Sequence, residues 1–329
     1  MTKMIWSNYG SYTPQEKTVA KLENLRSASV IGLGKMGLGY DLSEGKLLDT
    51  AKSHIGALRK IPEIYLINGV DLYFNNIPSE LGLPSTHLIE FDAFASSPDY
   101  AYDLLVLATP TNSHYEVLQD LIEKHPFRAA IIEKPCGSSA NECKIILDLL
   151  ENRNIAWQVN YFRSALPHTL LALKFTQAMG LIPKRASING YGDVLNIFSH
   201  FIHLMIKFSL FDSLLPINCL SLEDRAIISF ESGFVLEVNN IGGPKLDLPI
   251  LDLDMGAHRL IFKNNGQRIE LIDENQQFTG KTFELPDFDN YQEYATKEYL
   301  KNLNSGISGD RRSVETVHEI VNAIISSNV

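Results

Sequence analysis

The sequence predicts a two-part α/β chain. Residues 1–160 read as a doubly wound parallel sheet, with 1–27 as an N-terminal extension, and residues 161–329 as an α+β half on a mainly antiparallel open sheet. Three observations carry this. From residue 29 to about 160, short apolar runs alternate with amphipathic segments, the signature of βα units. Beyond 160 the pattern turns to alternating strands and hairpin signals. The length, 329 residues, also exceeds the roughly 250–300 at which a single core stops growing.

Taken in order, the polar stretch 14–25 is helix-compatible and belongs to the extension. Strands are expected at 29–31, 64–70, 104–108, 129–132 and 155–159. The central ones are continuous apolar runs, as befits strands covered on both faces. Val117, Leu118, Leu121 and Ile122 form one helical stripe, and Cys143, Ile146, Leu147 and Leu150 another, both at core-packing spacing. A helix over 166–179 opens the second half. Phe234, Leu236 and Val238 alternate after the turn at Ser232-Gly233. Asn265-Gly266 separates the runs 260–263 and 268–272, a strong hairpin signal because both turn residues take positive φ. Helices over 290–303 and 313–326 close the chain, the second striped by Val314, Val317, Val321 and Ile324.

Composition excludes several classes. With 45% apolar and 21% charged residues the chain is globular rather than disordered or fibrous. The formal net charge of −10, with no dense Lys/Arg run, argues against a nucleic-acid partner. Cys136, Cys143 and Cys219 make neither a CxxC pair nor a disulfide framework, and no metal-ligand set is assigned. The start MTKMIWSNYG has no apolar secretory core, and no stretch reaches the roughly 18 apolar residues that span a bilayer. A cytoplasmic protein without a membrane partner is expected.

The first chemical motif is Gly32-Leu33-Gly34-Lys35-Met36-Gly37, a GxGxxG directly after a strand. In a dinucleotide site Gly32 permits the tight turn, Gly34 lets the backbone approach a pyrophosphate, and Gly37 lets helix and strand pack closely. A helix N-terminus would then present its amides to the phosphates. Asp71, ending the run 65–70, suits the ribose hydroxyls. It lies 34 residues after Gly37, so an insertion is needed relative to the usual spacing of about 20. No Lys or Arg occurs in 72–76 to neutralise a 2′-phosphate, which favours NAD over NADP.

Further motifs come in order: Ala108-Thr109-Pro110-Thr111-Asn112-Ser113-His114, then Glu133-Lys134-Pro135, then Tyr191-Gly192 ahead of Asn196-Ile197-Phe198-Ser199-His200. Together with GxGxxG these resemble the glucose-fructose oxidoreductase, inositol dehydrogenase and rhizopine catabolism family, Gfo/Idh/MocA. The resemblance implies a Rossmann domain holding NAD, touched by Thr109, Pro110, Asn112, His114, Glu133 and Lys134. It also implies a C-terminal sheet that covers the cleft and pairs with another copy in a homo-oligomer. Lys134, at a strand's C-terminal end, would reach a substrate hydroxyl and the nicotinamide ribose.

Asn196 and His200, four apart on one helix, share a face, and His203 lies on much the same side. Asp193 is a candidate N-cap for that helix. A neutral His suits removal of a hydroxyl proton. Arg163, in Asn160-Tyr161-Phe162-Arg163, and His203 are candidate substrate contacts, Arg163 for an anionic group. Departures from the family stand at Asn196 and His203, where Asp is usual, and at Phe198, where Gly is usual. The reading is an NAD-dependent oxidoreductase acting on a hydroxyl-bearing carbon of a sugar, polyol or nucleotide sugar, with Lys134, His200 and Asn196 as its catalytic set. Two alternatives stand beside it: a reductase of a non-sugar such as a tetrapyrrole or dihydrodiol, and a dinucleotide-binding sensor or partner without catalysis.

Overall fold

The apolar runs of the first half become strands of one parallel sheet, and the spaces between them fill with helices of limited length. The computed structural model describes residues 25–43, 46–72, 86–97, 102–190, 194–209, 216–222, 224–241, 248–273, 275 and 278–327. The stretch 14–24, the cation-free run 73–76, and Tyr191, Gly192 and Asp193 lie outside the described residues.

β1 (Ser27–Ile31) leads into the glycine loop. The regular helix expected straight after Gly37 does not form there. The turn 34–38 runs into a 3-10 turn at Gly39–Asp41 and a small hairpin, β2 (Leu42–Ser43) with β3 (Lys46–Leu47). The helix resumes only at α1 (His54–Leu58), where the His54 and Ile55 amides donate to the Met36 and Gly37 carbonyls at 2.8 and 3.0 Å. Residues 38–53 are thus an insertion looped out of a helical path, which accounts for the long spacing to Asp71. Asp41, fully buried, closes that loop: its carboxylate accepts from the Thr50 hydroxyl, the Lys52 amide, and the amide and hydroxyl of Ser53.

β4 (Leu66–Asp71), β5 (Thr86–Glu90), α2 (Phe91–Ser96), β6 (Leu104–Leu107), α3 (His114–Lys124), β7 (Ala129–Ile132), α4 (Ala140–Asn152) and β8 (Ala156–Val159) complete this half. The order is β5-β4-β1-β6-β7-β8, all parallel. The pattern had not revealed β5, an edge strand whose five residues include only two aliphatic side chains. From β1 the chain winds outward through β4 and β5, and from β6 it winds the other way. That reversal leaves a crevice at the strands' C-terminal ends between β1 and β6, where open α/β sheets bind ligands.

α5 (Phe162–Ala165) and α6 (Pro167–Ala178) lead to β9 (Arg185–Asn189) and α7 (Ser199–Ser209). β10 (Pro216–Leu222), β11 (Arg225–Phe230), β12 (Val235–Asn239), β13 (Ile250–Asp254), β14 (His258–Lys263), β15 (Arg268–Asp273) and β16 (Phe278–Glu284) come next. The sheet order is β10-β11-β12-β9-β13-β14-β15-β16, antiparallel except for β9 with β12. β11, β12 and β13 alternate buried and half-buried residues, as a sheet with one covered face must. α8 (Tyr291–Asn304) and α9 (Arg311–Ser327) then return to the first sheet. Ala295, Tyr299, Leu300 and Leu303 of α8 join the core under β1, β6 and β7, while α9 packs on α4 and α7.

Candidate active site

Gly32 turns the chain at the end of β1 with φ +92°, its amide donating to the Val70 carbonyl at 2.8 Å. A Cβ there would lie 2.7 Å from the Ala108 carbonyl, so both conformation and space require glycine. A Cβ on Gly37 would run into the Gly32 carbonyl oxygen, whereas one on Gly34 would meet no atom within 4 Å. Open space over Gly34 is what a pyrophosphate needs. The Leu38 amide bonds back to the Gly34 carbonyl at 3.0 Å, so the amides of Lys35, Met36 and Gly37 open a helical turn as an N-terminus does, even without a long helix behind it. Asp71 ends β4 and its Oδ2 accepts the Leu33 amide at 2.6 Å, fastening the loop while facing the cleft. These residues fit a dinucleotide: Gly32–Gly37 to cradle its phosphates and Asp71 to meet a ribose.

The cleft they border holds about 820 Å³ and extends along the ends of β6 and β7 toward the second half. Thr109 and Pro110 line it past β6. His114 is fully buried at the start of α3, with one ring nitrogen 3.0 Å from the Cys136 carbonyl and the other 3.0 Å from the Thr109 carbonyl. It ties the loop after β6 to the one after β7.

Glu133, at the end of β7, anchors a buried polar network. Its Oε1 meets His54 Nε2 at 2.8 Å and accepts from Asn160 Nδ2, and its Oε2 accepts the Lys134 amide at 3.2 Å. Asn160 and Gln292 exchange hydrogen bonds at 3.2 and 3.3 Å. Burial pushes the Glu133 carboxyl up, but the His54 and Asn160 bonds with the His54 and Lys134 charges outweigh it and hold the pKa below the ordinary value. Glu133 therefore stays ionised beneath Lys134, whose peptide to Pro135 is cis.

Lys134 reaches across the cleft: its Nζ donates to the Asn196 carbonyl at 2.7 Å. Asn196 sits in a wide π turn, Val194–Phe198, that feeds α7, so it and His200 both face the cleft. His200 is packed edge-on against Phe162, ring centres 4.9 Å apart, and Tyr161, and its buried Nδ1 has no hydrogen-bond partner among the described residues. Burial, then the charges of Arg163, Lys134 and His203, push its pKa well below the ordinary value. Arg163 extends from α5, with Nε donating to the Asn265 carbonyl at 3.0 Å and an Nη to the Asn265 side chain.

Residues 28–161 match the model of an oxidoreductase family with an NAD-binding Rossmann fold, GFO_IDH_MocA. Over residues 28–161 the chain thus carries the NAD-binding domain that this family's model describes. No curated protein sequence matches. Among solved structures, UDP-N-acetylglucosamine 3-dehydrogenase from Acidithiobacillus ferrooxidans superposes with a TM-score of 0.69 at 12% identity, over 92% of this chain and 97% of its own. Levoglucosan dehydrogenase, in complex with NADH and L-sorbose, gives 0.69 at 15% identity, over 93% and 97%. A super-repressor mutant of Gal80p from Saccharomyces cerevisiae gives 0.70 at 14%, over 92% and 96%. At such identities these likenesses establish a shared fold alone.

The cleft gathers Gly32, Gly34, Lys35, Met36, Asp71, Thr109, Pro110, Glu133, Lys134, Arg163, Asn196 and His200 from the sequence-predicted set. Four others stand outside it. Gly37 packs behind the loop, Asn112 is exposed, and His114 is buried between loops. His203, expected on much the same side as His200, does not line the cleft; its ring stacks instead on Tyr161, ring centres 4.3 Å apart. Sequence reasoning missed His54, Asn265, Phe288 and Tyr291. Tyr291 packs on Phe162, ring centres 4.4 Å apart, and both line the cleft. Only Asn265 carried a signal, as a hairpin turn, and that signal spoke of the backbone.

Proposed function

We propose that the protein is an NAD-dependent oxidoreductase that interconverts alcohol and ketone at a hydroxyl-bearing carbon of a sugar, polyol or nucleotide sugar. The observation that carries this reading is the convergence of Lys134 from β7 and His200 from α7 on one cleft bordered by the glycine loop. NAD bound there supplies the hydride acceptor. Lys134 offers a cation to the substrate oxygen. His200, held neutral, accepts the hydroxyl proton. Its side chain is aimed by the Phe162 and Tyr161 rings rather than by a carboxylate. Glu133 fixes the Lys134 backbone from below and Asn196 lends its carbonyl to the Lys134 ammonium. The sugar and nucleotide-sugar dehydrogenases sharing this fold support the substrate class.

The test is NADH formation from NAD with a panel of sugars, polyols and nucleotide sugars, repeated with Lys134→Ala. Turnover of one panel member, lost in the variant, supports the reading; turnover unaffected by the variant defeats it. A second reading, NAD binding without catalysis, draws on the Nδ1 of His200, which has no partner among the described residues, and on Asn196, which brings no charge to steady an imidazolium. Calorimetry showing NAD binding with no turnover across the panel would favour it.

A further inference from the structure

We propose that Arg163 is an anion-binding residue, and that the substrate carries a carboxylate or phosphate group that the guanidinium receives at the Lys134 end of the cleft. This deepens the oxidoreductase reading and rests on it for the word substrate. The Arg163 side chain lines the cleft yet the residue is only 8% exposed, and its guanidinium carbon lies 4.5 Å from the centre of the Phe162 ring and 5.1 Å from that of Phe201. A cation withdrawn from water this far normally has a carboxylate partner. Arg163 forms no ion pair among the described residues; its hydrogen bonds go to Asn265. Burial pulls its pKa down to about 10, which leaves it charged at neutral pH.

The acids among the described lining residues are Asp71 and Glu133. Asp71 ends β4, four strand steps from β8 in the sheet order, about 19 Å at a spacing of about 4.8 Å per strand. Glu133 has its oxygens engaged by His54, Asn160 and the Lys134 amide. Neither neutralises Arg163. The same spacing puts the β8 end about 14 Å from β1, away from the glycine loop, so the cofactor's pyrophosphate is not the missing anion. What holds the guanidinium is an amide. Asn264, Asn265 and Gly266 all have positive φ (50°, 58° and 89°), a hairpin tip shaped to aim a carbonyl and a side chain at Arg163. An amide at that tip orients the fork without cancelling its charge, and a planar fork suits carboxylate and phosphate alike. Lys134, lining the same cleft, adds a second cation.

The experiment is calorimetric titration of the full chain, saturated with NADH, using ligand pairs that differ by one anionic group. D-glucuronate against D-glucose reads a carboxylate; D-glucose 6-phosphate and D-glucose 1-phosphate against D-glucose read a phosphate. At least one anionic member is expected to bind about 10-fold or more tightly than glucose, from a charge-assisted bond, and which one identifies the group. Arg163→Gln should abolish the preference. Asn265→Asp, which keeps the arginine but gives it an internal counter-charge, should abolish it too, and decides the matter if Arg163→Gln does not fold. A wild-type protein with no preference for any anionic member, or a preference that survives Asn265→Asp, overturns the proposal. Equal NAD-dependent turnover of neutral and anionic members would overturn it while leaving the oxidoreductase reading intact. Charge-dependent binding without turnover would do the reverse.

Discussion

At the glycine end of the cleft, Leu33 meets Asp71 across 38 residues of chain; at the lysine end, Lys134 meets Asn196 across 62, Arg163 meets Asn265 across 102, and Asn160 meets Gln292 across 132. The first set lies on neighbouring strands of one sheet and depends on backbone shape. The second is assembled from β7, α5, α7, the β14–β15 tip and α8, and depends on side chains held by tertiary packing. The glycine end therefore tolerates little change in backbone but few of its side chains matter. The lysine end can change chemistry by single substitutions far apart in sequence.

The largest effect expected is at the glycine end. Gly34→Val should abolish NAD binding while leaving the melting temperature close to wild type, since its Cβ points into open space. Gly37→Ala should instead fail to fold stably, because its Cβ meets the Gly32 carbonyl. Calorimetry and thermal melts of the two variants separate these outcomes; equal melting temperatures would mean the loop repacks and the comparison fails.

At the lysine end, Lys134→Ala and His200→Ala should each lower turnover by about 10²-fold or more with NAD affinity little changed. Groups acting on one oxygen are non-additive, so the double variant should lose little beyond the worse single one. Additive losses in steady-state kinetics would show two independent contributions.

Asp71→Ala removes both a ribose partner and the acceptor of the Leu33 amide. It should weaken NAD about 10-fold or more, and NADP far less, by the loss of a charge-assisted hydrogen bond. A wild-type protein that prefers NADP in titration would remove this role.

The smallest effect concerns pH. Because burial and the Arg163 and Lys134 charges depress the His200 pKa, the neutral base persists below the ordinary titration range, and oxidation rates should stay level as pH falls from about 7.5 to 6.5. Removing one positive neighbour raises that pKa, so Arg163→Gln should move the acid limb upward by less than the depression burial causes. An acid limb centred at the ordinary histidine value in the wild type would show that His200 is not the titrating base.

Much of the fold was legible because buried parallel strands and hairpin turns write their own patterns. The runs around β6 and β7, the α4 stripe and the turn before β15 needed no tertiary information. β5 was missed because an edge strand of five mixed residues lacks that pattern, and the helix after Gly37 was misplaced because nothing local marks 38–53 as an insertion. Only the long gap to Asp71 hinted at it. In the site, Lys134 and His200 stood out by motif, whereas His54 and Gln292 are ordinary helix residues until packing brings them to Glu133.

By itself the sequence determined the glycine turn, the strand order of its motifs and the change from parallel to antiparallel grammar, since these derive from steric rules on φ and from periodicity over a few residues. Tertiary structure alone decided which polar side chains face the cleft and what charge they keep there. His200 lines it and His203, three residues on, does not; Glu133 stays ionised because His54 and Asn160 reach it. Arg163 pairs with no acid among the described residues, because the residue the β14–β15 tip brings to it is Asn265. Burial and charge balance are sums over neighbours distant in sequence, and no local pattern encodes them.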